Sequence, residues 1–114
     1  MIITSVKGNR VSWPVQTTKN AYANLGAPWD KEHLKTCTFI IKNTGATNVA
    51  QIKVLGSVDS VNFDAPIVAE KDLAAGATEV VKLSDFYTDV VIQVKSKVDG
   101  SHTTINASAA GIPM

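Results

Sequence analysis

The sequence predicts an all-β fold of the two-sheet sandwich type, and three observations predict it. Apolar residues recur with a period of two along most of the chain from Cys37 onward. The periodic runs are short and separated by clusters of Gly, Asn, Asp and Ser, and no apolar pattern of helical period is sustained between them. With 114 residues and a hydrophobic fraction of 45%, the chain has material for one core and not for two.

The N-terminal third differs in character. Residues 1–6 fit a strand and residues 11–17 another, but Pro14 lies inside the second and confines it to a sheet edge, because proline has no N–H for a second neighbour. Residues 18–33 mix Gly26, Pro28, Asn20 and Asn24 with Tyr22, Leu25 and Trp29, and follow neither period. The expected division is therefore an irregular N-terminal arm over residues 1–32, with one or two edge strands, and a β-sandwich domain over residues 33–114. Trp13, Tyr22 and Trp29 are the candidate interface residues of that arm, since large aromatics are the side chains that most often anchor contacts between proteins. A second reading of the two indoles stands beside it: they cover an open end of the sandwich.

The strands after residue 32 follow in order. Residues 33–42 place Cys37, Phe39 and Ile41 on one face and Thr36, Thr38 and Lys42 on the other. The small residues 43–48 turn the chain back, so that residues 49–58, with Ala50, Ile52, Val54 and Val58 facing inward, are expected to pair with the preceding strand. A turn at 59–62 leads to a short strand opened by Pro66. The turn at 74–77 leads to a strand over 78–83 with Val81 and Leu83 inward, and Phe86 and Tyr87 are placed to close one end of the core. Finally Val90, Ile92, Val94 and Val98 alternate with polar residues up to Asp99-Gly100, a dipeptide suited to a type I′ hairpin. The expected returning strand has Ile105, Ala107 and Ala109 inward. The total is seven or eight strands, and a small closed barrel satisfies the same pattern.

Eleven basic and ten acidic residues, scattered along the chain, favour neither nucleic acid nor an anionic membrane as a partner. Residues 1–4 lack the basic start and apolar stretch of a signal peptide, so synthesis in a cytoplasm is the expectation. A lone cysteine cannot close an internal disulfide. No catalytic, cofactor-binding or metal-ligating set emerges. His33 and His102 are far apart in sequence, and Cys37 falls on the apolar face of its strand. Asp59, Asn62 and Asp64 lack the spacing of a calcium loop and read as a turn that bonds its own backbone.

Phe39-Ile40-Ile41-Lys42-Asn43-Thr44-Gly45, followed by Ile52 to Phe63 with Gly56-Ser57-Val58-Asp59-Ser60-Val61-Asn62, resembles the Ig-like β-sandwich modules of tailed-phage virion proteins and some bacterial surface proteins. In those modules a strand ending in Asn-Thr-Gly precedes a strand carrying Gly-Ser-x-Asp-Gly-x-Asn, and Ser60 stands here where the pattern has its second glycine. The resemblance covers roughly residues 37–108. It implies an Ig-like antiparallel sandwich and a structural role in a virion, of the capsid decoration (cement) type. The implied partners are a major capsid protein or other virion proteins and copies of the same chain. A carbohydrate-binding or cell-surface adhesion module is the alternative, and an enzyme is not expected.

Overall fold

The computed structural model of the chain describes residues 6–113. Among them no helix occurs, and ten strands form two facing sheets: β1 (Val6–Lys7), β2 (Arg10–Thr17), β3 (Ala23–Asn24), β4 (Trp29–Asp30), β5 (Leu34–Asn43), β6 (Ala50–Ser57), β7 (Ala65–Leu73), β8 (Thr78–Leu83), β9 (Asp89–Ser96) and β10 (Thr104–Pro113). One sheet runs β2-β10-β5-β8. The other runs β1-β4-β9-β6-β7, with β3 also on β9. All pairings are antiparallel except that of β1 with β4. The strand expected over residues 1–6 lies outside the described residues except for Val6.

The expected all-β sandwich is present, with a strand order of its own. β3 and β4 both lie on β9 and act as one interrupted strand, which makes eight principal strands counted from β2. The sheets then contain the first, eighth, third and sixth strands, and the second, seventh, fourth and fifth. This is the double-Greek-key interleaving of a jelly roll. In the immunoglobulin arrangement the last two strands share a sheet, whereas here β9 and β10 lie in opposite sheets.

Two expected hairpins are corrected for the same reason. β5 does not pair with β6, and β9 does not pair with β10; each connection crosses from one sheet to the other. The first crossing is pinned by the buried amide of Asn43. Its Nδ2 donates to the carbonyls of Asn48 (3.0 Å) and Leu73 (2.9 Å), and its Oδ1 accepts from Gly45 N (3.0 Å) and Thr103 Oγ1 (2.7 Å). Gly45 is required there, since a Cβ would stand 1.9 Å from Thr103 Oγ1. The second crossing is tied to the same corner. Thr103 N donates to Thr18 Oγ1 (2.9 Å), and Thr18 Oγ1 lies 2.7 Å from Ser96 Oγ. In the Asp99-Gly100 turn only Gly100 has positive φ, so the type I′ geometry that would fold β10 back beside β9 is not adopted.

The core lies between the sheets, where Phe39, Ile41, Ile52, Val54, Val90, Ile92, Val94 and Ile105 are buried. It also takes in Trp13, Leu25 and Trp29, so the boundary at residue 32 does not separate an arm from a sandwich: β2 and β4 are strands of the two sheets, and their apolar side chains complete one core. Pro14 lies in β2, an edge strand, as its missing N–H requires.

Candidate interaction surface

The three sequence-predicted interface residues have different surroundings. Trp13 and Trp29 are buried and pack on each other edge to face (ring centroids 6.4 Å apart) and on Phe39 (6.3 and 5.5 Å). Each indole N–H is satisfied inside the chain, Trp13 Nε1 by Ala27 O (2.8 Å) and Trp29 Nε1 by Gly8 O (3.1 Å). Gly26 is needed beside them, since its φ of +64° is left-handed and a Cβ would stand 2.7 Å from the Trp13 ring. The indoles thus fill the core end, the second of the two roles open from the sequence, and neither presents a face to solvent. Only Tyr22 reaches the surface. Its hydroxyl donates to Glu70 (2.5 Å), its ring lies under the Lys53 ammonium (4.2 Å), and partial burial together with the Glu70 carboxylate raises its phenol well above the usual value.

A more prominent surface, which the sequence reading missed, is built where the β6–β7 and β8–β9 loops meet. Its frame is Asp59. One carboxylate oxygen accepts from Val61 N (2.9 Å), Asn62 N (2.8 Å) and Ser57 Oγ (2.9 Å), and the other from Asn62 Nδ2 (2.9 Å). These donors hold its carboxyl far below the usual carboxylate range. Ser60 has φ +64°, the left-handed conformation that glycine adopts at little cost. The residue in the place of the motif's glycine therefore takes a glycine's conformation. Its hydroxyl compensates by bonding Asp89 (2.5 Å) at the start of β9 and Thr88 (3.2 Å) just before it. Thr88 N in turn donates to Ser57 O (2.8 Å), and Tyr87 covers Gly56 so closely that a Cβ there would meet the ring at 2.5 Å.

On this braced frame stand Val61, Val58 and Phe86, exposed by 76%, 70% and 57%, with the exposed carboxylates of Asp59, Asp64 and Asp85 among them. Val58 was expected inward and Phe86 over the core. The alternation breaks because Gly56 and Ser57 are both buried, which turns Val58 outward, while Tyr87 takes the position against the core.

The outer face of the β2-β10-β5-β8 sheet has the opposite character. Register places Ser12, Ser108, Ile40 and Val80 in one row across it and Arg10, Ala110, Thr38 and Lys82 in the next, with Asn106, Lys42 and Thr78 beyond. Small side chains along β10 leave shallow troughs between β2 and β5, lined by Arg10, Ser12, Thr38, Ile40, Lys42 and Ser108. Among the described residues, these rows contain three cations and neither an acidic nor an aromatic side chain.

Chemistry has little to work with in the remainder. Among the described residues no group of three or more His, Cys, Asp or Glu could hold a metal ion. His33 Nε2 bonds Asn9 Oδ1 (3.1 Å), and His102 Nδ1 bonds Ser96 Oγ (2.8 Å) in the polar corner. Cys37 is buried, and burial pushes its thiol up despite the opposing charge of Lys31, the reverse of what a nucleophile needs. Lys31 is itself fully buried, its Nζ 3.4 Å from the carbonyl of Asp85 at the base of the loop end.

Residues 30–110 match the model of a family described as a domain of unknown function, DUF6385. No curated protein sequence matches the chain. Among solved structures, a chain from Bacillus endospore appendages, described as a novel family of disulfide-linked pili, aligns over 90% of this chain and 85% of its own at 11% identity and a TM-score of 0.55. A chain of infectious bursal virus derived T=1 particles aligns over 91% of this chain at 9% identity and a TM-score of 0.51, and this chain spans only 31% of that longer one. The SPBc2 prophage-derived protein YomS aligns over 94% of this chain and all of its own at 13% identity and a TM-score of 0.48. At these identities the first two likenesses show a shared fold.

Proposed function

The chain belongs to the DUF6385 family, and we propose that it is a structural assembly subunit, a virion component of the capsid decoration type that joins copies of itself and capsid proteins. The observation that carries this reading is the braced loop end. Three large apolar side chains, Val58, Val61 and Phe86, stand in solvent on two connections that hydrogen bonds from Asp59 and Ser60 brace and join. Exposed apolar side chains set among polar groups are what a protein-binding surface offers, and a preformed surface avoids much of the ordering cost of association.

The jelly-roll order supports the reading at the level of fold, since viral capsid domains are among the proteins that use it. Residence in a virion follows from the same proposal. A carbohydrate-binding or adhesion role finds less support. The four-stranded sheet's outer rows carry no aromatic ring on which a sugar could stack, and the face of Tyr22 is taken by Lys53.

The test is the mass of the purified chain by light scattering across a concentration series, beside the variant Val61→Ser/Phe86→Ser. Both positions are exposed, so the β spectrum is expected to be unchanged. The wild type is expected to exceed the monomer mass and the variant to fall toward it. A wild type that stays monomeric throughout, or a variant that assembles equally well, contradicts the reading. Monomers that bind a glycan panel would favour the adhesion alternative.

A further inference from the structure

We propose that the loop end of one copy, carrying Val58, Val61 and Phe86, docks on the outer face of the β2-β10-β5-β8 sheet of the next copy, making a head-to-tail contact. The inference rests on the assembly role proposed above and adds the identity of the occupant. Three independent features of the two surfaces match.

Charge is the first. Asp59, Asp64 and Asp85 stand on the loop end, whereas the sheet rows carry Arg10, Lys42 and Lys82 without an acidic side chain among the described residues. Complementary fields steer encounter and fix register even where they add little affinity. Apolar character is the second. Val61 and Phe86 project from the loop end, and the cross-strand pair Ile40 and Val80, 45% and 52% exposed, forms the apolar stripe on the sheet. The third is shape. The loop end is held in one exposed conformation by Asp59 and Ser60, and the sheet face is hollowed along β10 where Ser108 and Ala110 offer little bulk between β2 and β5. Four strands about 4.8 Å apart make a face roughly 15 Å across.

The two surfaces are different parts of the same molecule, so the contact is heterologous. Each copy that docks leaves a free loop end or a free sheet face, and the assembly closes into a ring or continues as a filament instead of stopping at a two-fold dimer.

Charge reversal tests this in full-length protein. Lys42→Glu/Lys82→Glu makes the sheet face acidic, and Asp64→Lys/Asp85→Lys makes the loop end basic; all four side chains are exposed. Each variant alone sets like charges against each other and is expected to lose roughly ten-fold or more in apparent association constant by light scattering. A mixture of the two variants, or one chain carrying all four substitutions, restores opposite charges at every contact and is expected to assemble again. Assembly of wild type should also weaken between ~0.15 M and ~1 M NaCl, as the screening length falls from ~8 to ~3 Å.

If the sheet-face variant assembles like wild type while Val61→Ser/Phe86→Ser does not, the occupant is something other than this sheet and the inference is overturned, with the assembly role intact. Loss in both single variants without recovery in the mixture also overturns it. A wild type that never assembles removes the underlying reading instead.

Discussion

Replacing Asn43 by alanine tests whether the chain crosses between sheets where the structure places the crossing. The amide is buried and makes four hydrogen bonds, two donated to the carbonyls of Asn48 and Leu73 and two accepted from Gly45 N and Thr103 Oγ1. Alanine removes all four and leaves groups in a low-dielectric corner without those partners, at a cost of about 1–3 kcal/mol for each group left unsatisfied. Water can reach Gly45 N more easily than the buried Thr103 hydroxyl, so not every loss counts in full, and a total of about 3–4 kcal/mol is expected. Against a typical domain stability of about 5–15 kcal/mol this is a large share. At roughly 4 °C per kcal/mol for a chain of this size, the melting temperature should fall by about 12–16 °C. Urea titration followed by tryptophan fluorescence measures it, with the slope unchanged because the same surface is exposed on unfolding. A loss below about 1 kcal/mol would mean instead that the corner is wet and that another contact sets the crossing.

Two further predictions concern residues whose environments differ from first expectation. Trp29→Ala should cost about 3–5 kcal/mol in urea, because the indole is fully buried against Trp13 and Phe39; a loss under about 0.5 kcal/mol would restore the surface arm expected from the sequence. Asp59 has a depressed folded pKa, so its bracing of the loop end is complete above the ordinary carboxylate value of ~3.9 and is lost as pH falls through the folded value. The amide signals of Val61 and Asn62 should therefore stay put through pH ~4 and shift only in stronger acid, and Asp59→Asn should abolish that transition. A midpoint at the ordinary carboxylate value would contradict the bracing.

What the sequence made legible was whatever one local pattern decides. Phe39 and Ile41, Val81 and Leu83, and Ile105, Ala107 and Ala109 face the core as their alternation requires. Partner choice between strands was not legible. The small residues after Asn43 and the Asp99-Gly100 pair mark reversals of direction, but a reversal within a sheet and a crossing between sheets use the same turn residues. The choice lies with Asn43, Thr103 and Thr18, which meet only in three dimensions. Trp29 went unplaced because Gly26-Ala27-Pro28 interrupts the strand it belongs to, so residues 18–33 show no period although they pack on β9. The loop end was half visible: residues 59–62 read as a turn that bonds its own backbone, and Asp59 braces that turn with Ser60 in a left-handed conformation. Nothing local showed that two adjacent buried residues, Gly56 and Ser57, would turn Val58 into solvent.

Amide hydrogen exchange, read by mass spectrometry on dilute and on concentrated full-length protein, tests the assembly role most directly. Slower exchange on concentration is expected in peptides covering residues 58–63 and 84–88, with the core strands β6 and β9 unchanged. Identical exchange at both concentrations, or protection confined to surfaces away from that loop end, would contradict it.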